Sequence, residues 1–187
     1  MPTVPEEPAR PNRGPAAGPA NRRALIAAAR EIFEAQGLGA PLSAVARRAG
    51  VGQGSLYRHF PDRVALASAV FEENVAELES FAEPVEATLE DLFDHVVEQA
   101  LASTAFIELT TANRHDPHVL RLGERFRAVI ERLLEREREA GHVGAHVEIE
   151  DVLLATGMLA TELARTDPED RTRVALRIRA LLRRALA

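Results

Sequence analysis

The chain contains no cysteine, no tryptophan and no lysine, and it has a single tyrosine, Tyr57. Without cysteine there are no disulfide frameworks, thiolate metal sites or cysteine nucleophiles. Without lysine there is no Schiff-base chemistry and no P-loop, whose phosphate cradle needs that residue. All 23 basic residues are therefore arginine. Long apolar runs are also missing. Nothing reaches the length of a membrane span, and the N-terminus lacks the hydrophobic stretch of a signal peptide. From these absences the protein is expected to be cytoplasmic and without a membrane partner. Basic charge is in short supply overall: against 29 acids the arginines leave a net charge of −6. Taken over the whole chain, that argues against a polyanionic partner.

What remains is a chain of 187 residues with 46% hydrophobic content, enough for one domain or for a small module joined to a larger one. Residues 1–20 are rich in proline and read as a disordered tail. From Asn21 onward the apolar residues recur at helical spacing, with no alternating strand pattern and no repeat. Leu25, Ala29, Ile32 and Phe33 mark a first helix, with Asn21 as its N-cap and Gly37 at its C-terminus. Leu42, Val45, Ala46 and Ala49 mark a short second helix, and Gln53 to His59 a third. Asp62 caps a fourth that runs to about Phe81. Further helices are expected from Pro84 to Ala102, Thr104 to Arg114, Pro117 to Ala140, Glu148 to Arg165 and Pro168 to Leu186. The long seventh helix carries arginine and glutamate at i, i+3, including Arg121–Glu124 and Glu135–Arg138, which predicts ion pairs along its outer face. The fold class is all-α, with about nine helices.

The second and third helices meet the geometric demands of a helix-turn-helix unit. Ala46 is small where two helices must cross closely. Gly50, four residues later, supplies the positive φ of the turn, and Leu56, six further on, is apolar and can pack back. Val45, Ala49 and Val51 fill the inner positions between. The outward positions of the third helix are Gln53, Ser55, Tyr57 and Arg58, all able to hydrogen-bond.

The wider string ALIAAAREIFEAQGLGAPLSAVARRAGVGQGSLYRHFPDRVAL resembles the DNA-binding domain of the TetR family of bacterial transcriptional regulators. The motif covers about residues 21–70, and AGVGQGSLYRHFPDR is its most specific part. Two departures stand out. Pro41-Leu42-Ser43 opens the second helix where the family commonly has threonines, and Gly52 stands where a serine-like cap is frequent. The resemblance implies three parts: a tail over 1–20, a DNA-binding domain over 21–67, and a ligand-binding and dimerisation domain over 68–187. It implies a DNA-contacting set of Arg22, Arg23, Ser43, Gln53, Gly54, Ser55, Tyr57, Arg58, His59 and Arg63. Among these, Gln53, Tyr57 and Arg58 would face the major groove, where glutamine matches adenine and arginine matches guanine. Ser55, Tyr57 and His59 would touch phosphates, and Arg63 with Arg22 or Arg23 would hold the backbone. Charge along the chain agrees with this division. Residues 21–67 carry seven arginines against Glu31, Glu34 and Asp62, a net +4, while residues 68–187 carry −10.

By the same resemblance the protein would be a repressor released from a palindromic double-stranded DNA operator by an unknown small-molecule ligand. It would form a homodimer through its last two helices, about residues 148–187. In the eighth helix Gly157, Ala160 and Ala164 keep one strip small, and the ninth offers Val174, Ile178, Leu181, Leu182 and Ala185, compatible with a four-helix seam. Phe93, Val97, Phe106, Leu109, Thr110, Asn113 and Met158 are candidates to line a ligand cavity, although apolar residues at this spacing also suit a plain core. No cofactor is expected. The pairs His115/His118 and His142/His146 invite a metal reading, but the first brackets Asp116-Pro117, which starts a helix, and the second lies in a glycine-containing loop where helical spacing has no meaning, so no metal is expected. No G-x-S-x-G elbow marks a hydrolase, and no enzymatic activity is expected. Three other readings stay open: an activator or global regulator without inducer, an enzyme that kept the module as ancestry, and a helical interaction scaffold.

Overall fold

The computed structural model describes residues 18–102 and 104–186, and the tail expected over 1–20 lies mostly outside them. Among the described residues there are nine α-helices and no strands: α1 (Gly18–Gln36), α2 (Leu42–Arg48), α3 (Gln53–His59), α4 (Arg63–Phe81), α5 (Leu89–Ala102), α6 (Ala105–Ala112), α7 (Pro117–Glu139), α8 (Ile149–Arg165) and α9 (Arg171–Leu186). No helix is long and apolar enough to cross a membrane.

Most helix ends follow the expected chemistry. Gly37 and Gly50 both adopt positive φ, +74° and +65°, in the region that other residues enter at a cost. The Asp62 carboxylate accepts from the Ala65 amide at 2.8 Å, and that of Asp116 from the His118 amide at 2.8 Å, with Pro117 in the first turn of α7. Three boundaries differ. Helix α1 is already helical at Gly18, the first described residue, so Asn21 lies inside the helix rather than capping it. The helix expected from Pro84 begins only at Leu89, since Pro84–Ala87 forms a turn closed by Ala87 N to Pro84 O. The true start is a reciprocal cap: the Asp91 carboxylate accepts from the Thr88 amide and hydroxyl, while Thr88 Oγ1 accepts from the Asp91 amide. Helix α9 likewise starts at Arg171, three residues beyond Pro168.

The apolar stripes assemble two cores. One joins α1, α2, α3 and the first half of α4, with Leu25, Phe33, Val45, Leu56 and Leu66 fully or almost fully buried. It does not stop at the N-terminal module, because Ala105 and Leu109 of α6 and Val119 and Leu122 of α7 belong to it. The second core lies among the end of α4, α5, α7, α8 and α9, centred on Leu92, Ile130, Leu133, Leu159 and Leu163. Helix α4 therefore serves both, and the boundary expected at residues 67/68 falls within one unbroken helix. The i, i+3 ion pairs expected along the outer face of α7 do not form among the described residues; pairs to neighbouring helices and one i, i+4 pair, Arg127–Glu131, form instead. Arg125 grips Glu79 of α4 through two bonds of 2.7 and 2.6 Å, and Arg127 reaches Glu150 of α8 at 2.8 Å as well as Glu131. Long arginine stems at the edges of a packed helix find acceptors across the seam as readily as along it.

Candidate nucleic-acid interface

The turn between α2 and α3 is built from backbone bonds that use the last carbonyls of α2. The amides of Ala49, Gly50 and Val51 donate to the carbonyls of Val45, Arg47 and Ala46 at 2.9, 3.1 and 3.0 Å. Positive φ at Gly50 lets the chain reverse while these bonds stay intact. Ala46 is buried at the crossing, and Leu56 is buried from α3, so the spacing of small, glycine and apolar residues performs as its geometry requires. Helix α3 has no side-chain cap. Gly52 takes the N-cap position, and only its carbonyl engages, accepting from the Ser55 and Leu56 amides.

With Leu56 turned inward, α3 displays Gln53, Gly54, Tyr57 and Arg58 to solvent, and Tyr57 is 53% exposed. Ser55 and His59 are half-buried at the edges of this face. The side chains of Gln53, Ser55, Tyr57 and Arg58 form no hydrogen bond among the described residues. An exposed phenol is unusual on thermodynamic grounds, since a ring of that size is commonly buried with only its hydroxyl wet. Arg58 contrasts with the arginines of the body, many of which are paired: Arg125, Arg127, Arg173, Arg179 and Arg183 each hold a carboxylate.

The other expected contact residues sit around this face with varied commitments. Arg23 is exposed and without a side-chain partner among the described residues. The Arg22 guanidinium lies over the Phe60 ring, 5.3 Å from its centroid, which holds the start of α1 beside the end of α3. His59 is tilted against the same Phe60 ring at 6.4 Å. Ser43 is half-buried in the first turn of α2. Arg63 is the most constrained. Its Nη1 donates to Leu38 O at 2.6 Å and to Ala40 O, tying the start of α4 to the loop between α1 and α2. Arg47 and Arg48 differ from each other: Arg48 is paired with Glu31 at 2.7 Å, whereas Arg47 is exposed without a partner.

Between α1 and the helices of the body lies a partly open cavity of about 500 Å³, within the range of small-molecule sites. Of the residues expected to line it, Phe106 and Thr110 do so. The rest lie elsewhere. Leu109 is fully buried in the first core and Phe93 in the second, and Val97 packs on the second core. Asn113 ends α6, its amide donating to Leu109 O, and Met158 is 61% exposed on α8. The cavity is instead walled by Val70 and Phe71 of α4, Val96 of α5, Phe126 of α7, and Leu153 and Thr156 of α8. Arg30, Phe33 and Glu34 of α1 also reach it. Helical periodicity marks a face as apolar but not which neighbour it meets, so no sequence signal pointed to α1. The small strip of α8 divides as well, Gly157 and Ala160 opening onto the cavity. Val174, Ile178 and Leu182 of α9 pack against their own subunit's core. No group of three or more potential ligands for a metal ion occurs among the described residues.

The model for bacterial regulatory proteins of the tetR family matches residues 25–70, which span α1 to α3 and the first part of α4. No curated protein matches the chain. Over nearly the whole chain the structure is similar to a TetR transcriptional regulator from Streptomyces coelicolor, with 26% identity, a TM-score of 0.62, and coverage of 88% of this chain and 97% of that one. A TetR transcription regulatory protein from Mycobacterium vanbaalenii is 27% identical, with a TM-score of 0.60 and coverage of 91% and 97%. GusR of Salmonella enterica shares the fold at 23% identity, with a TM-score of 0.60 and coverage of 89% and 95%.

Proposed function

Because this chain belongs to the TetR family of bacterial regulatory proteins, with the helix-turn-helix module of a DNA-binding transcriptional regulator, we propose that it is a repressor. It acts as a homodimer and is released from a palindromic operator when a small molecule fills its cavity. The observation that carries the DNA-reading part is the α3 face, where Gln53, Tyr57 and Arg58 stand exposed with no internal partner on a rigidly packed support. Hydrogen-bonding groups with no structural task, on the second helix of such a unit, suit base edges in the major groove. The net +4 of residues 21–67 supplies the attraction to phosphate, and the net −10 of the body keeps the rest of the surface off the duplex.

Dimer formation is supported by the exposed side of α8 and α9. These helices pack on each other, and each leaves two large apolar side chains in solvent: Leu154 (63%) and Met158 (61%), Leu176 (60%) and Leu181 (55%). Such a surface on an otherwise charged chain fits association with a second copy. A dimer also sets two α3 helices against successive major grooves, which gives affinity that one short helix lacks.

Selection of bound fragments from a random duplex library defines the operator. On it, Arg58→Ala lowers affinity by about 1–3 kcal/mol and relaxes preference at one position of each half-site if Arg58 reads a base. An equal loss on all sequences reassigns it to phosphate. No loss on any duplex defeats the assignment of α3 as the reading helix. Titrating the operator complex with compounds, and assaying a promoter fused to the operator with and without the protein, separates a ligand-released repressor from an activator.

A further inference from the structure

The cavity's charged groups are not scattered, whereas uncharged polar side chains, including Gln99, Thr110, Thr111, Thr156 and Thr161, line several of its walls. Most of its wall is apolar, and four of the seven phenylalanines in the chain (Phe33, Phe71, Phe106 and Phe126) contribute to it. Phe71 and Phe106 form a tilted pair with centroids 4.9 Å apart. Two hydroxyls in the wall are already committed as donors to their own helices: Thr110 to Phe106 O at 3.1 Å, and Thr156 to Val152 O. They turn only lone pairs toward a guest. The charged groups gather at the α1 end. There Arg30 is satisfied by Asn74 Oδ1 at 3.2 Å, Val70 O at 3.1 Å and the Glu73 carboxylate at 2.6 Å. Glu34, one turn further along the same helix, is exposed where it borders the cavity and has no ion-pair or hydrogen-bond partner among the described residues. Arg30 and Glu73 cancel, and the Glu34 charge is left over. This end of the cavity therefore disfavours an anion and favours a group that donates hydrogen bonds.

We propose that the cavity binds an aromatic or otherwise bulky apolar molecule bearing a hydrogen-bond-donating head, a protonated amine by preference, with that head against Glu34 of α1 and the apolar body among the phenylalanines. A cation is doubly suited, by the unpaired carboxylate and by the aromatic faces. The head then touches α1, a helix of the DNA-reading module itself, so occupancy bears on that module without an intervening element. This inference rests on the ligand-released repressor reading and names the class of ligand.

Three probes of one shape test it: 4-phenylbenzylamine, 4-phenylbenzyl alcohol and 4-phenylbenzoate, titrated calorimetrically into the full-length protein without DNA. The expected order is amine, then alcohol, then carboxylate, with the amine at least about tenfold tighter than the carboxylate, since a charge-assisted bond is replaced by like-charge repulsion. Glu34→Gln lowers amine affinity by about tenfold and leaves alcohol affinity within about twofold, which also shows that the variant's cavity is intact. A carboxylate that binds as well as the amine, an amine indifferent to Glu34→Gln, or no binding by any probe overturns the proposal. Operator binding, measured separately by fluorescence anisotropy, keeps the two claims apart. Loss of the ligand assignment leaves DNA recognition standing, and amine binding that never releases DNA counts against the repressor mechanism alone.

Discussion

Arg63 offers the sharpest test of how the module is built. A basic residue at the start of the helix after the reading helix would be expected to hold a DNA phosphate. In the folded chain its Nη1 already serves two loop carbonyls, Leu38 O at 2.6 Å and Ala40 O, bridging α4 to the segment that joins α1 and α2. Removing the side chain leaves both carbonyls without this donor. Hydrogen bonds from a charged donor contribute about 1.5–3 kcal/mol each, but these two share one nitrogen and the site is half-exposed. Arg63→Ala should therefore cost roughly 2–3 kcal/mol rather than the full sum. With a urea m-value of about 1–3 kcal/mol/M, the unfolding midpoint followed by far-ultraviolet circular dichroism should fall by about 1 M. Arg63→Lys should recover part of this, since an ammonium can reach one carbonyl but lacks the planar fork. The decisive second measurement is the salt dependence of DNA binding. Each phosphate contact contributes about 0.9 to the slope of log affinity against log salt, and the slope should be unchanged in Arg63→Ala. A slope reduced by about 0.9 per subunit with an unmoved unfolding midpoint would refute the structural role and restore the phosphate contact.

Gly50→Val places a β-branched residue at φ +65°. It should destabilise the module by about 1–2 kcal/mol, whereas Gly50→Asn should cost distinctly less; equal midpoints for the two in urea would contradict the strain argument. Met158→Glu combined with Leu176→Glu should halve the mass measured by light scattering while leaving the helical circular dichroism intact. An unchanged mass removes α8 and α9 from the interface. Glu79 is held below the usual glutamate range by its hydrogen bonds from Arg125, with burial opposing and the Arg125 and Arg132 charges assisting. A carboxylate whose folded value is lowered stabilises the fold above its unfolded value, and that stability is lost as pH falls through the folded one. Glu79→Gln should thus flatten the decline in melting temperature over roughly pH 5 to 3, and an identical acid limb in wild type and variant would count against the Arg125–Glu79 clamp.

Much of the architecture is legible in the sequence because it depends on local chemistry. Gly37, Gly50, Asp62 and Asp116-Pro117 each act within a few residues of themselves, and each marks a helix end where expected. Where local signals compete, the sequence alone does not fix the boundary. Pro84 suits a first helical turn, but the reciprocal pair Thr88 and Asp91 offers more satisfied donors and takes the helix start. The α3 face was legible for the same reason as the helix ends: one turn and one buried leucine determine which side chains point outward. The cavity was not. It is formed by six helices from both halves of the chain, and only Phe106 and Thr110 were anticipated. A stripe of apolar residues on α5 or α8 looks the same whether the neighbour is a packed helix or a void.

That difference in legibility has a mechanical counterpart. The residues that determine the reading surface are close in sequence, yet the core supporting them is not confined to the module: Ala105, Leu109, Val119 and Leu122 pack into it from the body. The Glu108 carboxylate of α6 also accepts from the Leu38 amide at 3.2 Å, on the same loop whose carbonyls Arg63 holds. The loop between α1 and α2 is thus fastened from both sides, by α4 and by α6. A molecule in the cavity touches α1, α4 and α6 together. Any ligand that fits better when these three helices move apart shifts the module's orientation by its own differential affinity, and one that fits both arrangements equally releases no DNA however tightly it binds.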